Sequence, residues 1–286
     1  GDIGFRVFDD FREEFPDRFY NVGIAEANMI GVAAGLAMSG MKPVVYTIIP
    51  FLVMRAFEQI RVDLCIQDLP VILVGVGGGL SYDTLGPTHH AIEDLAIMRS
   101  LPNMQVLTPC DPQEVLLTFE EGFHNDSPTY LRLGKGGEDN LLTKDLLNER
   151  VFNMYKMIKS GVDALFICHG PILKEVQNAV EILSKNYNCA IISVHSLKPF
   201  NEQELIDRIK RYKFLITVEE HSVIGGLGSI VSEIIAKNNI NSQLSIIGIP
   251  DVVTNIIGKR DYLLAHHKMD AVNIARRTNL FLTKEN

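Results

Sequence analysis

Residues 105–132, QVLTPCDPQEVLLTFEEGFHNDSPTYLR, decide the fold. The apolar run 105–108 has the length of a strand. Asp111-Pro112 then reads as a helix N-cap with proline at the first helical position, where its missing N–H removes no helical bond. The helix expected over 112–124 leads into a second apolar run at 129–132. Strand, helix and strand in that order form the building unit of a parallel sheet. The pattern continues outward in both directions. Strands are expected at 44–46, 71–74, 164–168, 190–194, 214–218 and 244–247, and helices at 25–39, 52–66, 171–184, 203–212 and 226–237. Gly170-Pro171 opens its helix much as Asp111-Pro112 does. The stretch 134–150 is glycine-rich, then charged, without a strand signal, and marks a domain boundary. The fold class is therefore α/β, in two domains, 1–147 and 148–286, each a mostly parallel sheet flanked by helices.

Composition agrees with this reading. A chain of 286 residues, 47% apolar and 22% charged, is long enough for two cores and has a globular balance. A net charge of −8 without a basic stripe argues against binding a nucleic-acid backbone. No apolar run approaches the roughly 20 residues that span a bilayer, and residues 43–53 are interrupted by Thr47 and Pro50. Gly1-Asp2-Ile3-Gly4-Phe5 lacks the basic and apolar regions of a secretion signal. Cys65, Cys110, Cys168 and Cys189 have no CxxC spacing. They read as small core hydrophobes of a reducing, cytoplasmic compartment.

Four constellations carry chemistry. Glu26 is the lone acid of an almost uncharged helix, EANMIGVAAGLAMSG, where desolvation favours a hydrogen-bond-donating carboxyl. A solvent-facing glutamate complementing the helix dipole is the plainer reading of the same residue. Phe51, Met54 and Phe57 recur at helical spacing, which usually means core packing. His89 and His90 follow Gly86-Pro87-Thr88 and the glycine-rich 77–82, and imidazoles need polar partners. Zinc would require Glu93 and Asp94 as further ligands, a poor match in spacing. Arg132 and Lys135 stand at the carboxyl end of an expected strand, where open α/β sheets bind ligands and paired cations suit a phosphate.

In their order these segments resemble the pyrimidine-binding domain of the transketolase and deoxyxylulose-phosphate synthase family, followed by the transketolase C-terminal domain. FPDRFYNVGIAEANMIGVAAGLAMSG, PFLVMRAFEQIR, LGPTHHAIEDLAIMRSLPNMQVLTPCDPQEV and VEEHSVIGGLGS carry the resemblance, which covers nearly the whole chain. It implies a thiamine-diphosphate-dependent transketolase acting on sugar phosphates. Glu26 then hydrogen-bonds N1′ of the aminopyrimidine and favours the 4′-imino form, the general base for the thiazolium C2–H. The resemblance also implies Phe51 stacked on that ring, Met54 and Phe57 completing an apolar wall, and Asp2 near the thiazolium. His89 and His90 would contact substrate, and Arg132 and Lys135 its phosphate.

Two departures from the family pattern matter. Leu85 stands where many members place an aspartate, a role left to Asp83. No GDG segment followed by asparagine occurs, so the motif for Mg²⁺ and diphosphate is absent from these residues. The reading is therefore the C-terminal subunit of a split transketolase. A separate N-terminal subunit supplies most of the Mg²⁺ site, in an α2β2 assembly with homodimer contacts, and a first helix and strand are expected to precede Gly1. His195, His221, His266 and His267 read as surface or interface residues. A deoxyxylulose-phosphate synthase fragment, the β subunit of a 2-oxoacid dehydrogenase and a non-catalytic interaction module are the alternatives.

Overall fold

The computed structural model describes residues 1–4, 6–143 and 155–283. The boundary expected between 147 and 148 lies outside them. In chain order the strands are β1 (Val44–Ile48), β2 (Ile72–Val76), β3 (Gln105–Leu107), β4 (Thr129–Leu133) and β5 (Tyr155–Lys159). They continue with β6 (Ala164–Cys168), β7 (Cys189–Val194), β8 (Ser196–Lys198), β9 (Phe214–Ser222) and β10 (Gln243–Ile249). One sheet runs β1-β2-β4-β3-β8 and the other β10-β9-β6-β7-β5. Within each, all pairings are parallel except those of the edge strands β8 and β5. The interior strands β2 and β6 (ILVGV and ALFIC) are buried at every position, the mark of a sheet covered on both faces.

All the expected strands form. Strands β5 and β8 go beyond the expected set, because three residues are too few to show a period in β8 and lysines punctuate β5. Strand β8 follows β7 of the second sheet directly, yet it pairs with β3 of the first. The domains also share one apolar cluster, from Ile30, Leu73 and Val106 to Leu165, Ile192 and Leu215. All four cysteines are buried and unpaired.

Helices Glu26–Met38, Pro112–His124 and Leu227–Lys237 stand where expected. Asp111 caps its helix, one carboxylate oxygen accepting from Glu114 N at 2.8 Å. Its other oxygen accepts from Leu141 N and Leu142 N, both at 2.8 Å. The continuous helix expected over 52–66 does not form. It breaks into Ile49–Val53, Phe57–Gln59 and a π-helical turn, Ile60–Cys65. A further correction concerns the histidines of the second domain. His195, His221 and His267 are buried, and burial lowers the pKa of His195 and His267. His266 is exposed.

Candidate active site

Register builds the site. Ile48 pairs with Val76, and Val76 with Leu133, so β1, β2 and β4 end at one level. Three connections therefore leave the sheet side by side, at the carboxyl ends where α/β sheets bind ligands. After β1 comes the short helix Ile49–Val53 with Phe51. After β2 comes the loop carrying Tyr82, Asp83, His89 and His90. After β4 comes Gly134-Lys135. Gly77 N donates to Gly134 O at 3.1 Å and Gly78 N to Leu133 O at 2.8 Å, which prolongs the β2–β4 pairing into the loops. Gly77 has φ +88°, and a Cβ there would lie 2.0 Å from the Tyr82 ring, so glycine lets that ring fold back over the strand end.

Glu26 opens helix Glu26–Met38 and is 3% exposed, not solvent-facing. Its Oε2 accepts from Arg55 Nη1 at 2.5 Å. The same guanidinium lies over Phe51, 4.9 Å from the ring centroid. Met54 N donates to Pro50 O at 3.1 Å, so the helical course extends far enough to return Arg55 above Phe51. His89 meets both Phe51 and Tyr82 edge-on, with centroids 5.2 Å and 6.0 Å away. Its Nδ1 pairs with Thr88 Oγ1 at 3.0 Å, which leaves Nε2 without a protein partner among the described residues. Lys135 Nζ lies 5.7 Å from the Tyr82 centroid and 3.9 Å from the Asp83 carboxylate. Backbone and side-chain hydrogen bonds from Thr84 and the charge of Lys135 hold the Asp83 carboxyl below its ordinary pKa.

Thus Glu26, Phe51, His89 and Lys135 are gathered into one chain of contacts, with Arg55 and Tyr82 as links that the sequence reading passed over. Arg55 carried a signal, its i, i+4 spacing from Phe51. The remaining residues are placed differently. Met54 is 48% exposed, and Phe57, beyond the turn 54–56 that interrupts the expected helix, packs on the core cluster. Asp2 is exposed and accepts from Asn21 at 2.8 Å. His90 is buried and turned inward, with Nε2 3.1 Å from Asp83 O and Nδ1 unpartnered.

Arg132 does not join this chain of contacts. It is buried, with Nε 2.8 Å from Asp94 Oδ2 and Nη2 bonded to Ala91 O, Glu220 O and Asp94 Oδ1. Tyr130 OH adds a bond to Asp94 at 2.7 Å. A buried carboxylate such as Asp94 needs a cation, and that demand takes Arg132 away from any phosphate.

This arrangement can hold a flat group on Phe51 in the place Arg55 takes, with a hydrogen-bonding edge on Glu26 and an imidazole and an ammonium beside it. Among the described residues no group of three or more His, Cys, Asp or Glu is set to hold a metal ion. No described helix is long and apolar enough to cross a membrane.

Residues 5–137 match the family model for the transketolase pyrimidine binding domain, and residues 154–274 that for the transketolase C-terminal domain. The chain is 35% identical to one of the subunits of apulose-4-phosphate transketolase from Actinobacillus succinogenes over 265 residues, 92% of this chain and 85% of that protein. It is 33% identical to 1-deoxy-D-xylulose-5-phosphate synthase 1 of Geobacter sulfurreducens, covering 95% of this chain and 42% of that one. A solved split-gene transketolase, described as an inactive β4 tetramer, superimposes with a TM-score of 0.86 at 32% identity, covering 97% of this chain and 88% of that one.

Proposed function

The chain belongs to the transketolase family of thiamine-diphosphate-dependent transferases, and we propose that it is the C-terminal subunit of a split enzyme moving a two-carbon ketol unit between sugar phosphates. The observation that carries this reading is the stack Glu26–Arg55–Phe51. The guanidinium stands in for a flat group with a donor edge on the carboxylate and a face on the ring. An aminopyrimidine has that shape and that edge, so the residues present fit the cofactor.

When bound, thiamine diphosphate supplies the nucleophilic carbon that carries the two-carbon unit. The chain's own residues do the rest. Glu26, 3% exposed, would hold or release a proton at Oε2 for a ring nitrogen of the bound cofactor, and its burial keeps water from competing. Phe51 presents an apolar face that would fix the plane of the cofactor's ring, where the Arg55 guanidinium lies in this structure. His89 Nε2 exchanges protons with substrate oxygens, its tautomer set by Thr88 at Nδ1. Lys135, exposed and loosely paired with Asp83, is a cation that can meet a phosphate. His90 acts by holding the loop through Asp83 O.

The diphosphate and Mg²⁺ fall to a separate N-terminal subunit in an α2β2 complex. The Actinobacillus relative bears the name of one subunit of a transketolase, which supports a divided enzyme. The test is to co-purify the chain with the product of an adjoining transketolase-like reading frame, then titrate thiamine diphosphate and Mg²⁺ into each protein and into the mixture. Cofactor uptake on mixing, followed by ketol transfer in a ketose/aldose panel, supports the proposal. A mixture that binds no cofactor refutes it. The same panel tests the deoxyxylulose-phosphate synthase alternative.

A further inference from the structure

We infer that Glu220 of the second domain, secured by Arg260, is a positioning residue that sets the histidine loop of the first; its catalytic consequence rests on the function proposed above. The loop leaves and returns at one point, where Gly79 N donates to Ala91 O at 2.8 Å and Ala91 N to Gly79 O at 2.9 Å. Both feet are fastened to Glu220. Leu80 N donates to Glu220 Oε1 at 2.7 Å. At the other foot Arg132 Nη2 bridges Ala91 O, at 2.8 Å, and Glu220 O, at 3.1 Å. Arg260 closes on the carboxylate from the far side, with Nε 3.2 Å from Oε1 and Nη2 2.5 Å from Oε2. Its main-chain N–H also steadies the Asp83 carboxyl at the loop's tip. Gly79 has φ +65°, and a Cβ there would stand 2.5 Å from Glu220 Cγ, so glycine lets the foot rest on this side chain.

Cohesion between domains does not require such a group. Apolar packing would join them at lower desolvation cost than a carboxylate that is 5% exposed. What a buried, bidentate charge adds is direction, because its acceptor oxygens fix where Leu80 N points and hence where the loop begins. Its neighbour Glu219 shows the contrast. Successive strand residues face opposite ways, and Glu219 turns to its own domain to accept from Leu227 N at 2.7 Å and Gly228 N at 2.8 Å. One acid serves a helix of its own domain, and the other serves the loop that bears His89.

Two measurements test the inference. In the chain with its partner subunit, Glu220→Ala lowers kcat for ketol transfer about tenfold with KM and cofactor affinity within about twofold. Glu220→Gln, which keeps an acceptor for Leu80 N, stays within about threefold of the parent. In a His89→Ala background Glu220→Ala has no further effect on kcat, because it acts through His89; equal losses in both backgrounds overturn the positioning role. Hydrogen exchange reads the clamp without turnover. The Leu80 amide exchanges at least about tenfold faster in Glu220→Ala, while amides in β1 and β6 do not change. Should Glu220→Ala impair folding, Arg260→Met, at a partly exposed side chain, reports the same acceleration. If the parent complex performs no ketol transfer, the proposed function fails and exchange still decides the clamp. Unchanged Leu80 exchange in both variants overturns it.

Discussion

Glu26→Gln separates catalysis from folding more sharply than any other substitution here. The amide keeps an oxygen for Arg55 Nη1, so the 2.5 Å contact survives as a hydrogen bond without its charge. Arg55 is 47% exposed on its side chain, and solvent screens the pair. The stability lost with the charge is therefore at most about 1 kcal/mol, partly offset because an amide is easier to bury than a carboxylate. For a chain of 286 residues that shifts Tm by only about 2–4 °C. What disappears is the capacity to carry and release a proton at Oε2. A positioned acid–base group contributes about 10²–10⁴ in rate, or about 3–5 kcal/mol of barrier. The assay is ketol transfer by the chain with its partner subunit, alongside thermal unfolding of the chain by itself. A variant that melts within a few degrees of the parent yet retains less than about a hundredth of its kcat fits the argument. Retention of more than about a tenth refutes the role given to Glu26.

His89→Ala lowers kcat about a hundredfold with little change in cofactor affinity; unchanged steady-state kinetics for donor and acceptor would remove it from the site. Lys135→Ala raises KM for phosphorylated sugars about tenfold and leaves unphosphorylated ones unaffected, a comparison that fails if both change equally. Arg132→Met strands Asp94 in the core and costs about 3–5 kcal/mol in urea unfolding; a normal unfolding curve with a raised KM would instead return Arg132 to the phosphate. The fourth concerns Glu121, in a cleft of about 560 Å³ lined also by Asn103, His124 and Lys198. Burial lifts its carboxyl to about 7. A carboxyl raised above its unfolded value stabilises fully below about pH 4.5, and the contribution is lost as pH rises through 7. Glu121→Gln keeps the acceptor for Gln105 and removes the titration, so it gains about 1–2 kcal/mol over the parent at pH 8 after allowing for solvent on the open side. No gain appears near pH 4.5, and an equal gain at both pH values contradicts the assignment.

Local order was legible in the residues themselves. Asp111-Pro112 announces a helix because cap and proline act within one turn, and ILVGV announces a covered strand because both its faces are apolar. Glu26 stood out as an acid in an uncharged helix, whereas the spacing of Phe51 meant only core packing and its role came from the resemblance to the family. Sequence alone thus determined the α/β class, nearly all the strands and the candidate core of the site. Periodicity reports that a residue is buried, but not which distant group buries it. Arg132 looked like a phosphate cation until folding placed it on Asp94, 38 positions away. Glu220 lies beyond the strand expected at 214–218, and only because β9 runs on to Ser222 does it reach Leu80, 140 positions away. Neither β8 crossing to the first sheet nor the break after Val53 leaves a trace in local spacing. A buried charge must find its partner wherever the chain can bring one, and only the tertiary structure decided those partners.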